Sequence, residues 1–213
     1  MLYANREDLA SATQLAERLT ADTRRDPQAF DARWQLARID YWLGGHAPER
    51  DRRKYLEQGI AAAQDAARLQ PQRPEGHFWT AANMGAIAEG FGMRAGLRYR
   101  KSIRQSLETV LRLDRAYMEG SADRALGRYY HKVPGWLGGS RAKAEEHLRA
   151  SLTYNPDSTI SHYFLAELFI DAGRLDEARA ELQRVSSAPL SREWAPEDRD
   201  FKRRAATRLA GLR

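Results

Sequence analysis

The chain has 213 residues, 30% of them charged and 42% hydrophobic, which suits a packed and surface-charged protein and excludes a disordered polymer. No apolar run approaches the roughly 18 residues that would cross a bilayer, and the absence of cysteine excludes a disulfide framework, a thiolate metal site and a cysteine nucleophile. The formal charge is +6, but the basic residues sit among acids at helical spacing, as at Glu145, Glu146 and Arg149, so the charge reads as a solvated helix surface.

Polar-Pro steps punctuate the chain at Asp26-Pro27, Gln70-Pro71 and Asn155-Pro156, with a degenerate step at Asp114-Arg115. The spacings are 44, 44 and 41 residues. Proline lacks the amide hydrogen and clashes with the preceding turn, so each step marks a helix end.

In chain order, residues 6–27 form a first helical fragment. Residues 30–71 form a pair in which Leu36 and Ala37 are a large-small couple, Gly44-Gly45 is expected to end the first helix, and Gly59 to Leu69 belongs to the second. Residues 74–115 form the next pair, with Gly90 to Gly96 expected as a long loop. In the pair 118–156, Val133 to Ser140 is a second long loop. Ser140 is the expected N-cap of the helix after it, because its hydroxyl can accept from the free amides of the first turn. Residues 158–190 are the clearest pair. A final helix over 196–212, with Glu197 and Asp198 in its positive first turn, is expected to cap the array.

The run from Thr159 to Val185 resembles a tetratricopeptide (TPR) unit, whose period is about 34 residues. Leu165, Ala166, Phe169, Gly173, Ala178, Leu182 and Val185 fall at its large, small, aromatic, turn, small, large and medium positions. Ala166 and Ala178 let two helices approach, while Gly173 relieves the turn. The expected fold is all-α: a single TPR-like superhelix over 1–213, a right-handed stack of helical hairpins with long inter-helix loops and a C-terminal capping helix.

The segment Ser121 to Ser140 with its Tyr-Tyr-His-Lys-Val-Pro-Gly-Trp-Leu-Gly-Gly core, the stretch Lys143 to Leu148, and the ending from Trp194 to Lys202 resemble the T-component family of tripartite ATP-independent periplasmic (TRAP) transporters. The resemblance covers roughly residues 30–213. The animal regulator-of-microtubule-dynamics proteins share the same general plan. The T-component resemblance implies a bacterial, periplasmic TPR protein that associates with a transporter's solute-binding subunit and holds an apolar ligand. No secretory leader or lipid-attachment cysteine is visible, and a leader removed from the sequence as given is the expectation. A cytoplasmic adaptor is the alternative.

Neither a Walker A loop, a zincin helix nor a Gly-x-Ser-x-Gly elbow occurs, so the sequence is read as non-catalytic and without a cofactor. The five histidines have no i, i+3 or i, i+4 pairing, so no metal site is expected, and His77 and His162 read as packing residues. The basic run Arg94, Arg98, Arg100, Lys101 and Arg104 has only Tyr99 as an aromatic companion, which disfavours nucleic acid. The enzyme alternative would use Arg124, Arg128 and His131 beside Pro134-Gly135.

In TPR arrays the first helices line the concave surface. That register gives a groove of Trp34, Arg38, Tyr41, Phe78, Tyr129, Tyr163 and Glu167, with Ala82, Leu126 and Ile170 beside them and Trp136 as its plug. An apolar concave surface with sparse polar groups suits a protein partner, a small apolar ligand or a second copy of the chain. The same aromatics could instead pack under the loops.

Overall fold

Helix ends follow the polar and proline punctuation. In the computed structural model, which describes residues 2–212, ten α-helices form and no strand occurs among the described residues. Helix α1 (Leu9–Arg25) starts on Asp8, whose carboxylate accepts from the amides of Ala10 and Ser11 and so satisfies two of the orphan donors of the first turn.

The chain then alternates: α2 (Phe30–His46) with α3 (Glu49–Leu69), α4 (Pro74–Gly90) with α5 (Met93–Leu113), α6 (Tyr117–Lys132) with α7 (Arg141–Leu152), and α8 (Thr159–Asp171) with α9 (Leu175–Ser187). Helix α10 (Ala195–Gly211) closes the described chain. It falls into two compact units, residues 1–114 and 115–213.

The long period of unit 1 is spent in helix. Gly90 to Gly96 is not a loop: only Phe91 and Gly92 lie outside α4 and α5, because Gly92 takes a left-handed φ of 87° and Met93, Arg94 and Ala95 then wind directly into α5. Both α3 and α5 run for 21 residues, against 12 and 13 for α7 and α9. The loop at 133–140 does form, and Ser140 caps α7 by accepting from the amide of Lys143.

Gly44 does not end α2. The helix continues to His46, and a Cβ on Gly44 would stand 2.3 Å from Leu56 of α3. Since Leu56 is itself buried and cannot swing away, the glycine serves close helix packing. Gly173 has the expected role, turning α8 into α9 at a φ of 73°.

Unit 2 buries its own core. Tyr163 and Ala166 of α8, Leu182 and Val185 of α9 and Ala205 of α10 pack together, with Phe164, Phe201 and Leu209 at the margin. Asp198 seats α10 on α8: Thr159 Oγ1 donates to one oxygen at 2.6 Å and the Ser191 amide to the other at 2.8 Å. One tie recurs between repeats. His77 Nε2 donates to the carbonyl of Pro71 at 3.0 Å, and His162 Nε2 to that of Pro156 at 2.8 Å, each ring reaching back six residues to hold the turn before its helix.

Candidate partner-binding site

In unit 1 the groove residues meet around an aromatic the register had not singled out. Phe78 is buried edge-on against Trp79, with ring centroids 5.1 Å apart, and Tyr41 leans on the same indole at 5.8 Å. The Arg38 guanidinium lies 6.0 Å from the Trp79 ring and 3.7 Å over that of Tyr3, where a ring's negative face attracts a cation. Trp34 is half-buried and its indole nitrogen turns back to Asp31 at 2.9 Å. Of these aromatics Tyr41 is the open one, 43% exposed. Trp79 follows directly on Phe78 in sequence, and Trp42, buried and bonded to the Arg6 carbonyl at 2.7 Å, follows directly on Tyr41. Adjacent aromatic pairs were the missed signal: neighbours on a helix lie about 100° apart, and in both pairs the tryptophan, Trp79 and Trp42, turns inward.

In unit 2 two of the groove aromatics pack inside the unit. Tyr129 and Tyr163 are buried. Tyr129 stands edge-on to Tyr130 at 5.3 Å, and Tyr163 packs against Phe201 of α10 at 5.2 Å. The capping helix covers the apolar end of α8, so Tyr163 has a partner inside the unit. Glu167 is engaged as well: it pairs with Arg128 of α6 and, at 3.4 Å, with Arg208 of α10.

Arg128 also lies 4.6 Å over Phe164, and His131 Nε2 is 2.8 Å from Asp171. Two of the side chains considered for an enzyme, Arg128 and His131, thus form rungs between α6 and α8. Burial, opposed by the Asp171 carboxylate, holds the His131 imidazole below its ordinary range.

Trp136 is different, with 81% of its surface exposed. It rides a single 3₁₀ turn, Gly135–Leu137, tied by backbone bonds from Leu137 and Gly139 to the Pro134 carbonyl, from Gly138 to Gly135 and from Ser140 back to Tyr130. Hydrogen bonds fix the loop while its largest apolar side chain points into solvent. Large apolar side chains on rigid supports are the anchors that dominate protein-protein binding.

Two buried acids lie apart from these surfaces. Asp123 of α6 accepts from Arg115 Nε and His147 Nδ1, both at 2.8 Å. Burial alone would raise its pKa, but these bonds outweigh it and hold the carboxyl below its usual range. Asp40 of α2, 2% exposed, has an Oδ2 with no hydrogen-bond partner among the described residues, and burial pushes its pKa up to about 8. It lines a cleft of about 350 Å³ bounded by α1, α2 and α3. The sequence signal was an acid inside the apolar run Ile39 to Leu43.

Comparison with known proteins agrees with this architecture. A family model described as regulator of microtubule dynamics protein 1-3 matches residues 2–136, and a tetratricopeptide-repeat model matches residues 138–195. No curated protein matches. The crystal structure of a thermophilic TPR protein from Thermus thermophilus is similar over 98% of this chain and 96% of that one, at 22% identity and a TM-score of 0.73. At that identity the likeness concerns the fold, an all-helical TPR array. Matched over more than half its length by the one model and over its remaining helical repeats by the other, the chain belongs to the family of regulator of microtubule dynamics proteins 1-3.

Proposed function

We propose that the protein is a non-catalytic docking scaffold that holds a protein partner against the 133–140 loop, and that it serves as an accessory component of a periplasmic solute transporter. The observation that carries the docking role is Trp136, 81% exposed on a loop tied down by four backbone hydrogen bonds. Exposing an indole costs solvation that a monomer recovers nowhere, whereas burying it in a partner stabilises the complex by about 2 kcal/mol or more. The burial of Phe78, Tyr129 and Tyr163 favours a protein over a small apolar ligand, since those rings already have partners inside their own units. The transporter role rests on the likeness of residues 121–148 and 194–202 to the T-component family, and a solute-binding subunit is the partner it implies.

The experiment is a titration of a TRAP solute-binding subunit against the protein and its Trp136→Ala variant. The variant is expected to weaken binding about thirtyfold while its melting temperature stays within about 1 °C of the parent, because an exposed side chain contributes little to stability. Equal binding by parent and variant overturns the docking surface. Fractionation of the native cell separates the transporter role from a cytoplasmic adaptor: recovery in the periplasm is expected, and recovery with the cytoplasm overturns it.

A further inference from the structure

Burying a carboxyl group with one oxygen left unbonded is costly, and such a group stays neutral until a counter-charge arrives to stabilise its ionised form. Asp40 is such a group. It sits on α2 between Ile39 and Tyr41, and its Oδ2 has no partner among the described residues. The cleft it lines is neither closed nor apolar. Ala16 and Asp40 are buried at its floor, while Glu17 and Arg24 from α1 and Lys54 and Gln58 from α3 are exposed at its rim, and Thr13 and Thr20 add hydroxyls to one wall. Its volume, about 350 Å³, is at the lower end of small-molecule sites.

The charge pattern selects the class of occupant. No group of three His, Cys, Asp or Glu side chains that could hold a metal ion exists among the described residues, so a lone buried carboxylate points to an organic cation. With Arg24 and Lys54 outnumbering Glu17 at the rim, the outer end of that cation should carry an acid. We propose that this cleft binds a small amino-carboxylate zwitterion, its ammonium group on Asp40 and its carboxylate toward Arg24 and Lys54. This site is separate from the Trp136 loop, and neither reading depends on the other.

The titratable groups around the cleft are Glu17, Arg24, Lys54 and Tyr55, together with Asp40. Burial keeps Asp40 protonated at neutral pH, with a pKa of about 8. An arriving ammonium supplies the counter-charge, so Asp40 gives its proton to solvent as the ammonium docks, one proton released for each ligand bound. Binding should therefore tighten as pH rises.

The test uses 6-aminohexanoate, with butylamine and hexanoate as the single-charge controls, by calorimetry on the whole protein in buffers of different ionisation enthalpy. 6-Aminohexanoate should bind with proton release at pH 7, its affinity should rise by up to about tenfold per pH unit between pH 6 and 8, and it should then level off. Asp40→Asn, which keeps the shape and removes the charge, should weaken it about ten- to a hundredfold and abolish the proton release. Replacing Arg24 and Lys54 together with Gln should weaken 6-aminohexanoate without weakening butylamine. That rim variant and the pH series on the unaltered protein carry the test should Asp40→Asn fail to fold. Equal binding by Asp40→Asn, binding without proton release, or no binding of 6-aminohexanoate at about 10 mM overturns the proposal.

Discussion

Each unit of the molecule buries an aspartate in the first helix of a hairpin, and the two are treated in opposite ways. Asp123, 0% exposed, is gripped by Arg115 and His147. Asp40, 2% exposed, keeps one oxygen unpartnered among the described residues. Equal burial thus produces carboxyl pKa values displaced in opposite directions, down for Asp123 and up to about 8 for Asp40. Burial sets only the desolvation penalty, and the partners decide whether the charge survives it. The difference also separates two uses of an acid. Asp123 stands in for the turn tie that His77 and His162 make elsewhere: the third punctuation mark has Arg115 in place of proline, and its guanidinium reaches Asp123. Asp40 ties nothing of the kind and faces a cleft.

The largest expected effect comes from breaking the gripped acid. Asp123→Ala removes the shared acceptor of Arg115 and His147; because the Arg115 side chain is half exposed and water takes up its charge, the loss should be about 3 kcal/mol, read from urea unfolding followed by circular dichroism. The sign of its pH dependence follows from the lowered pKa. Asp123 stabilises the fold above the unfolded carboxyl value near about 3.9, and that stabilisation is lost as pH falls through the lower folded value. The variant should lack this acid-limb loss, and a variant with the parent's acid limb would show that Asp123 is not its source.

Asp40 should behave as the mirror image, with a smaller substitution effect. Because its folded pKa is raised, the native state binds the proton more tightly than the unfolded chain. Its contribution is therefore full below about pH 4, declines as pH rises to about 8, and is constant above. Asp40→Asn removes the ionisation and should raise stability at pH 8 by about 2 kcal/mol, while the amide's own unmet hydrogen bonds limit the gain. Unfolding curves at pH 5 and pH 8 measure it. A parent equally stable at both, with an Asn variant no better at pH 8, would show that Asp40 has a partner when ionised.

Much of the fold was legible because proline, the N-cap serine and the small-large couples act over a few residues. Ser140 and Gly173 sit where their local chemistry put them, and Ala166 and Ala178 are buried in the helix contacts. What was illegible depends on distance in three dimensions. Nothing near Tyr163 in sequence announces that Phe201, 38 residues on, will cover it from α10. Gly44 looks like a helix end because glycine usually is one, and only Leu56 on the next helix reveals its packing role. Left-handed backbone at Met118 and Glu119, with φ of 46° and 56°, was likewise invisible, since neither residue type favours it. The candidate site was half legible: the Trp136 loop stood out by its proline and glycines, while the inward turn of its neighbours in the register required the packed structure.

The smallest effect tests that register directly. Tyr41 and Tyr129 occupy matching groove positions in the sequence, yet Tyr41 is 43% exposed and Tyr129 only 7%. Helices pack with one face inward, so a difference of this size means that the same register position faces solvent in one hairpin and the core in the other. Tyr41→Ala should cost only about 0.5 kcal/mol, because 43% of its surface is already exposed and its packing on Trp79 is a tilted ring contact. A thermal melt that stays within a few degrees of the parent's keeps Tyr41 on an open surface, available to a partner. A large loss would place Tyr41 in the core beside Trp79, and the contrast between the hairpins would vanish.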